Sequence, residues 1–221
     1  PGISITVIED YEIKWTKHYG YSDYENKQIV TDQTLFNVGS LSKGAASFTF
    51  LSLVQKGMIS LDDDVNTYLT SWKVPENEHS DSNYVTPRLL MNHTSGAMHH
   101  FSVNYTRDNF PNITQYLNGE LPARERPTII DKKPGSVFQY SNPGYAVLQQ
   151  LVEDINDKAF YETADENFFR ILEMKRTTFQ QPLSQESEKY ASAGHYGYSS
   201  MNEKRYFYPN TAAGGLWTTT E

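Results

Sequence analysis

Ser40-Leu41-Ser42-Lys43 sets a hydroxyl and an amine three residues apart at the head of an apolar stretch. On a helix, positions i and i+3 share a face about 4.5 Å apart in rise, so the two side chains can meet. A serine hydroxyl becomes a useful nucleophile only when a neighbouring base takes its proton. Lysine can be that base once burial in apolar surroundings lowers its pKa. Gly44, Ala45, Ala46 and Phe48 are expected to supply that setting. A helix N-terminus adds N–H donors and a positive dipole end, which favour an alkoxide and a developing oxyanion. In the plainer alternative, Ser40 only caps the helix and Lys43 reaches solvent. Ser-x-x-Lys recurs too often by chance to choose between them alone.

A second group of polar side chains, Tyr140-Ser141-Asn142, stands directly before Pro143 at the entrance of another helix. Tyr140 could carry a proton if a neighbouring cation lowers its pKa. Asn142 could hold a substrate amide, since it offers both donor and acceptor. The plainer alternative makes Asn142 the N-cap of the helix and Tyr140 one of many packed tyrosines.

The elements that must position these groups are legible as patterns. Ile3, Ile5 and Val7 alternate with polar residues, Glu9-Asp10 makes a turn, and Tyr11, Ile13 and Trp15 alternate again; this reads as an antiparallel hairpin. Tyr21 to Thr34 is polar and reads as loop. Ser40 to Gln55 is apolar nearly all round, as in a helix buried on most sides, with Gly57 as its stop. Thr86-Pro87 predicts a cap and a short helix ending before Gly96. Phe101 to Ser136 reads as loop, with a short helix near Ile113 to Leu117. Val147, Leu148, Leu151, Val152 and Ile155 predict an amphipathic helix after Pro143, and Phe160 to Met174 predicts another. Ala191 to Glu221 reads as loop with short strands.

Other signals are weaker. Gly39 to Gly44 is spaced like a phosphate-binding loop, but Ala45 stands where lysine is needed. Gly39-Ser40-Leu41-Ser42 lacks the closing glycine of a nucleophile elbow. Asp62, Asp64 and Asn66 imitate a calcium loop, yet Thr67 and Lys73 occupy its glycine and glutamate positions. His99-His100 lacks a third ligand at suitable spacing. His93-Thr94-Ser95-Gly96 reads as a helix-ending turn, because a serine and histidine so close in sequence rarely meet productively. Asn92, Asn104 and Asn112 begin glycosylation sequons, which matter only in a eukaryotic secretory host.

Composition narrows the function class. The chain has 221 residues, 14% of them aromatic, too rich in large side chains for intrinsic disorder. Its formal net charge of −8, without a basic cluster, argues against nucleic acid or anionic lipid as partner. Cysteine is absent, which removes disulfides, thiolate nucleophiles and Cys-ligated metals. The chemistry calls for no cofactor and no metal. The apolar stretch from Gly44 to Gln55 is too short to span a bilayer.

Taken together, the two polar groups and the stretches around them resemble the serine β-lactamase and penicillin-binding protein superfamily, in its class C β-lactamase and D-alanyl-D-alanine carboxypeptidase branch. The resemblance is carried by Thr34 to Lys43, Gly57 to Asp63, Leu89 to Gly96, Tyr140 to Tyr145 and Ala213 to Thr219, in that order. It implies a β-lactamase/transpeptidase-like α/β (α+β) fold: an antiparallel sheet flanked by helices, with a mainly helical lobe. One domain, 1–221, is expected. It would comprise a sheet hairpin over 1–20, a nucleophile helix over 40–56 and the helical lobe over about 60–200.

The resemblance further implies that Ser40 is the acylated nucleophile and that Lys43 is its base or relays protons with Tyr140. Tyr140 would also protonate the leaving group, Asn142 would orient the acyl side chain, and the Ser40 N–H would form half of the oxyanion hole. The substrate would be a small molecule or peptide with an amide, lactam or ester carbonyl, met outside the cytoplasm. The family's third motif, a Lys- or His-initiated triad on a core strand, would lie beyond Thr219, and the chain stops first. Only the hairpin of the sheet is then expected, with a longer polypeptide or a complementary chain supplying the rest and with weak catalysis by this piece alone. A non-catalytic sensor or ligand-binding module on the same fold is the alternative.

Overall fold

The structure, a computed structural model, describes residues 1–80, 84–98, 105–201 and 204–221. The His99-His100 pair and the Asn104 sequon lie outside the described residues.

The chain opens with strands β1 (Gly2–Glu9) and β2 (Glu12–Asp23), joined by a turn in which Asp10 and Tyr11 adopt positive φ. Ile3 faces Tyr19, Ile5 faces Lys17 and Val7 faces Trp15 across the antiparallel pair. The expected loop from Tyr21 to Thr34 is partly strand. β2 runs on to Asp23 and pairs with β3 (Gln28–Ile29), so the sheet has three strands in the order β1-β2-β3. The cause is local: Asp23 Oδ1 accepts from the Asn26 N–H (3.2 Å), which folds Tyr24 to Lys27 into a turn.

After β4 (Phe36–Asn37) comes a single tight turn, Gly39–Leu41, and then helix α1 (Ser42–Gln55). The expected nucleophile helix over 40–56 therefore begins two residues late, and Ser40 sits on the turn that leads into it. Nor is α1 buried on most sides. It turns Ala46, Phe50 and Leu53 inward, while Phe48 is 59% exposed and stacks on Phe168.

Helix α2 (Pro87–Met91) starts as expected, with the Thr86 side chain accepting from the Leu89 N–H. β5 (Ala97–Met98) pairs with β6 (Ile129–Ile130), and α3 (Ile113–Asn118) lies between them in sequence, begun by a capping box of Asn112 and Gln115. Helix α4 (Asn142–Asn156) is the long amphipathic helix expected after Pro143. Its cap is Ser141, not Asn142: the Ser141 hydroxyl accepts from Gly144 N–H at 2.9 Å, which frees the Asn142 side chain for other work.

The helix predicted over Phe160 to Met174 is shorter. α5 (Phe160–Ala164) widens at Asp165–Phe169 into a turn with the Arg170 N–H on the Asp165 carbonyl (2.9 Å). That wider turn brings Phe169 into the core against Phe179 while Phe168 reaches Phe48. Short α6 (Gln185–Glu188), the pair β7 (His195–Tyr196) and β8 (Ser199–Ser200), α7 (Thr211–Gly214) and β9 (Trp217–Thr218) complete the fold, with β9 antiparallel to β4.

The core lies where α1, α2, α4, α5 and α7 meet, around Phe50, Leu53, Leu90, Ala146, Leu151, Val152, Phe169 and Ala212. Each large apolar side chain buried there contributes about 1.5–3 kcal/mol. Among the described residues, no helix is long and apolar enough to cross a membrane.

Candidate active site

Ser40 is held at the surface by its neighbours' hydrogen bonds. Gly39 adopts φ +52°, a left-handed conformation that glycine takes without strain, and its N–H donates to Asn37 Oδ1 (3.2 Å). The Gly39 carbonyl accepts from Ser42 Oγ (2.6 Å), and Ser42 Oγ accepts in turn from Leu216 N–H (2.9 Å). Asn37 Nδ2 reaches the carbonyls of Gly214 and Leu216 (3.2 and 3.3 Å). These bonds clip the turn carrying Ser40 to the segment from α7 to β9. Ser40 itself stays exposed.

Lys43, the second residue of α1, is buried, and its ammonium has three acceptors in reach. They are Ala213 O (2.7 Å), Asn142 Oδ1 (2.8 Å) and Ser40 Oγ (3.4 Å). Its apolar surroundings are not the expected Phe48, which points away, but the rings of Tyr140 and Tyr145 at 4.8 and 5.5 Å from Nζ. Burial lowers the pKa of Lys43, and the hydrogen bond and charge of Tyr140 offset only part of that.

Tyr140 approaches from the other side, and its hydroxyl donates to Ser40 Oγ at 2.8 Å. Burial alone would raise its pKa; the hydrogen bonds with Lys43 and Ser40 and the Lys43 charge outweigh that, and the net shift is downward. The ring is 49% exposed, so the hydroxyl pair lies at an open mouth.

The four residues singled out in sequence, Ser40, Lys43, Tyr140 and Asn142, thus converge on one point. Residues that sequence reasoning missed complete the surroundings. The Ala213 carbonyl is one of them, and its segment was noticed only as a landmark. Tyr145 is another: its hydroxyl donates to Met91 O (3.2 Å) and accepts from the Ser47 hydroxyl (3.1 Å). His93, read as part of a turn, does end helix α2, but its ring also lies against Tyr140 with centroids 4.6 Å apart. The imitation calcium loop is spoken for, since Asp62 pairs with Arg88 (2.7 Å) and Asp64 caps the turn at Val65–Thr67.

The arrangement can do acyl chemistry in principle. Asn142 Oδ1 and the Ala213 carbonyl can only accept, so each takes one Lys43 N–H. The third position on Nζ faces Ser40 Oγ. It is an N–H in the ammonium and a lone pair in the free amine, and only the latter can take the serine proton.

Comparison with known proteins shows the family of the chain. Protein flp of Staphylococcus aureus strain MW2 is 25% identical over 185 residues, which is 82% of this chain and 35% of that protein. A teichoic acid D-alanine hydrolase of Staphylococcus aureus is 26% identical over 223 residues, covering 98% of this chain and 51% of the hydrolase. The crystal structure of FmtA from Staphylococcus aureus superimposes with a TM-score of 0.75 at 25% identity, over 98% of this chain and 58% of that one. The chain therefore spans about a third to a half of the length of the curated relatives it matches. The family model described as Beta-lactamase matches residues 1–221, and the chain belongs to that family, with its β-lactamase/transpeptidase-like fold.

Proposed function

We propose that this chain carries the nucleophile side of a serine acyl-transfer site that hydrolyses amide, lactam or ester carbonyls. The observation that supports it most is the meeting of the Tyr140 hydroxyl and the Lys43 amine on Ser40 Oγ. In the acylation step, Ser40 Oγ forms a bond to the carbonyl carbon. Its proton passes to the Lys43 amine or to a Tyr140 phenolate, and the bond to the leaving nitrogen or oxygen breaks as that atom is protonated by Tyr140. Water then attacks the ester and gives one proton to the Lys43–Tyr140 pair, the Ser40–carbonyl bond breaks, and that proton passes to Ser40 Oγ. Asn142 orients the acyl side chain in this reading, and the Ser40 N–H donates to the oxyanion.

One relative is named a teichoic acid D-alanine hydrolase, and hydrolytic release of D-alanine falls within this reaction class; an extracytoplasmic location is part of this reading. A complementary segment or chain lying on the β1–β2 sheet, where Ile3, Ile13 and Trp15 stand exposed, would supply the second oxyanion donor and further strands.

The test is labelling of the intact chain with a fluorophosphonate and with a fluorescent penicillin, read by intact mass and peptide mapping. An adduct on Ser40 that is absent from Ser40→Ala is the expected result. Saturable, reversible binding of the penicillin without any mass increase would replace this reading with a sensor module.

A further inference from the structure

His93 takes part in the site in a way that its place in a helix-ending turn does not require. Its backbone sits at φ +63°, a left-handed conformation that few side chains adopt without cost. This turns both its carbonyl and its imidazole toward the segment before α4. The His93 carbonyl accepts from Gln139 N–H at 2.8 Å, and His93 Nδ1 accepts from Ser141 N–H at 3.1 Å. Tyr140 lies between those two donors. Its ring packs on the imidazole at 4.6 Å and 34°, and Tyr145 and Phe138 close the other sides of the His93 ring at 5.4 and 5.9 Å.

We infer that His93 is a positioning residue for Tyr140: its carbonyl and Nδ1 grip the N–H groups on either side, and its ring backs the phenol so that the hydroxyl stays on Ser40. The grip needs a neutral imidazole with its proton on Nε2, because Nδ1 must accept. A protonated imidazole would turn a second donor toward Ser141 N–H. Burial, and secondarily the charge of Lys43, lower the pKa of His93, which keeps the grip intact into mild acid. Among the described residues, the titratable groups facing the ring are Tyr140, Tyr145 and Lys43.

This inference deepens the acyl-transfer reading and rests on it for one of two measurements. The first is independent of activity: titration of the Tyr140 hydroxyl by NMR of tyrosine-labelled intact chain, assigned with Tyr140→Phe. In His93→Phe the ring remains but the Nδ1 acceptor is lost, and the Tyr140 titration is expected to move up toward that of a free tyrosine. His93→Asn carries an acceptor at the δ1 position and tolerates positive φ, so the titration should stay near that of the native chain. The second measurement is the rate of fluorophosphonate labelling of Ser40 against pH. His93→Phe should lose about 10- to 100-fold, since displacement of a reacting group by about 1 Å costs that much, and His93→Asn should recover most of the rate. Where the Phe variant does not fold, His93→Ala takes its place. An unchanged Tyr140 titration in both loss variants, or His93→Asn falling as far as they do, would overturn the inference. A native chain that is never labelled at Ser40 would remove the acyl-transfer reading instead, and the titration would still decide the role of His93.

Discussion

Lys43 is the residue on which the chemistry turns. An ammonium with acceptors 2.7 and 2.8 Å away would ordinarily be comfortable, yet both are neutral oxygens, and among the described residues no carboxylate accepts from Nζ. Apart from Tyr140, the charge is compensated by neutral dipoles in a buried place, which is why burial dominates and the pKa falls. The free amine then becomes available at lower pH than for a solvated lysine, so labelling of Ser40 should climb as pH rises through that lowered pKa. Replacing Lys43 by Ala should slow labelling by about 10²–10⁴-fold, the usual worth of base assistance, with stopped-flow fluorescence as the readout. A rate that survives the substitution would leave Tyr140 as the base.

At the scale of elements, the entrance of α4 delivers Tyr140 and Asn142 to the site, and the start of the helix depends on Ser141. That hydroxyl accepts from Gly144 N–H and donates to the Ala97 carbonyl on β5, so it joins the helix cap to the turn that carries His93. Gly96, in the same turn, has φ +73° and lies so close to the Lys132 carbonyl that no Cβ would fit. Ser141→Ala removes the cap and leaves the buried Ala97 oxygen without that donor. It should destabilise the chain by about 1–3 kcal/mol in denaturant titrations. On the opposite wall Asn37 and Ser42 serve β4 and α1 in the same manner, clipping them to the segment whose Ala213 carbonyl faces Lys43.

For the molecule as a whole, the pair Asp23–Lys204 ties the end of the three-stranded sheet to the segment after β8 at 2.9 Å. Burial on its own would raise the pKa of Asp23, but the Lys204 ammonium and two donors from Asn26 outweigh it and hold the carboxyl well below the usual range. A carboxyl depressed in the folded state contributes stability that is present above its unfolded pKa of about 3.9 and lost as pH falls below it. Thermal unfolding should therefore show a loss of stability below about pH 4 that Asp23→Asn flattens. The same variant should be less stable at pH 7 by about 1–3 kcal/mol, since it gives up the charged hydrogen bond.

The convergence of Ser40, Lys43, Tyr140 and Asn142 was expected only through the family resemblance, whereas the hairpin, the helix after Pro143 and the Thr86 cap were legible in the chain itself. Each rests on local spacing: a period of two, a period of 3.6, or a cap followed by proline. Nothing so local marked the cap of α4, because Ser141 and Asn142 are both good caps, and only the reach of Asn142 Oδ1 to Lys43 leaves the task to Ser141. Phe48 looked like the lining of the lysine pocket by adjacency, but the direction in which α1 faces the core sends it outward to Phe168. His93 carried no signal beyond its turn, because its role depends on a segment more than forty residues on, Gln139 to Ser141. Sequence by itself determined which elements form and which reactive groups they carry, since those follow from a few neighbouring residues. Tertiary structure decided which side of each element is buried and which backbone atoms finish the site, since both depend on contacts between residues far apart in the chain.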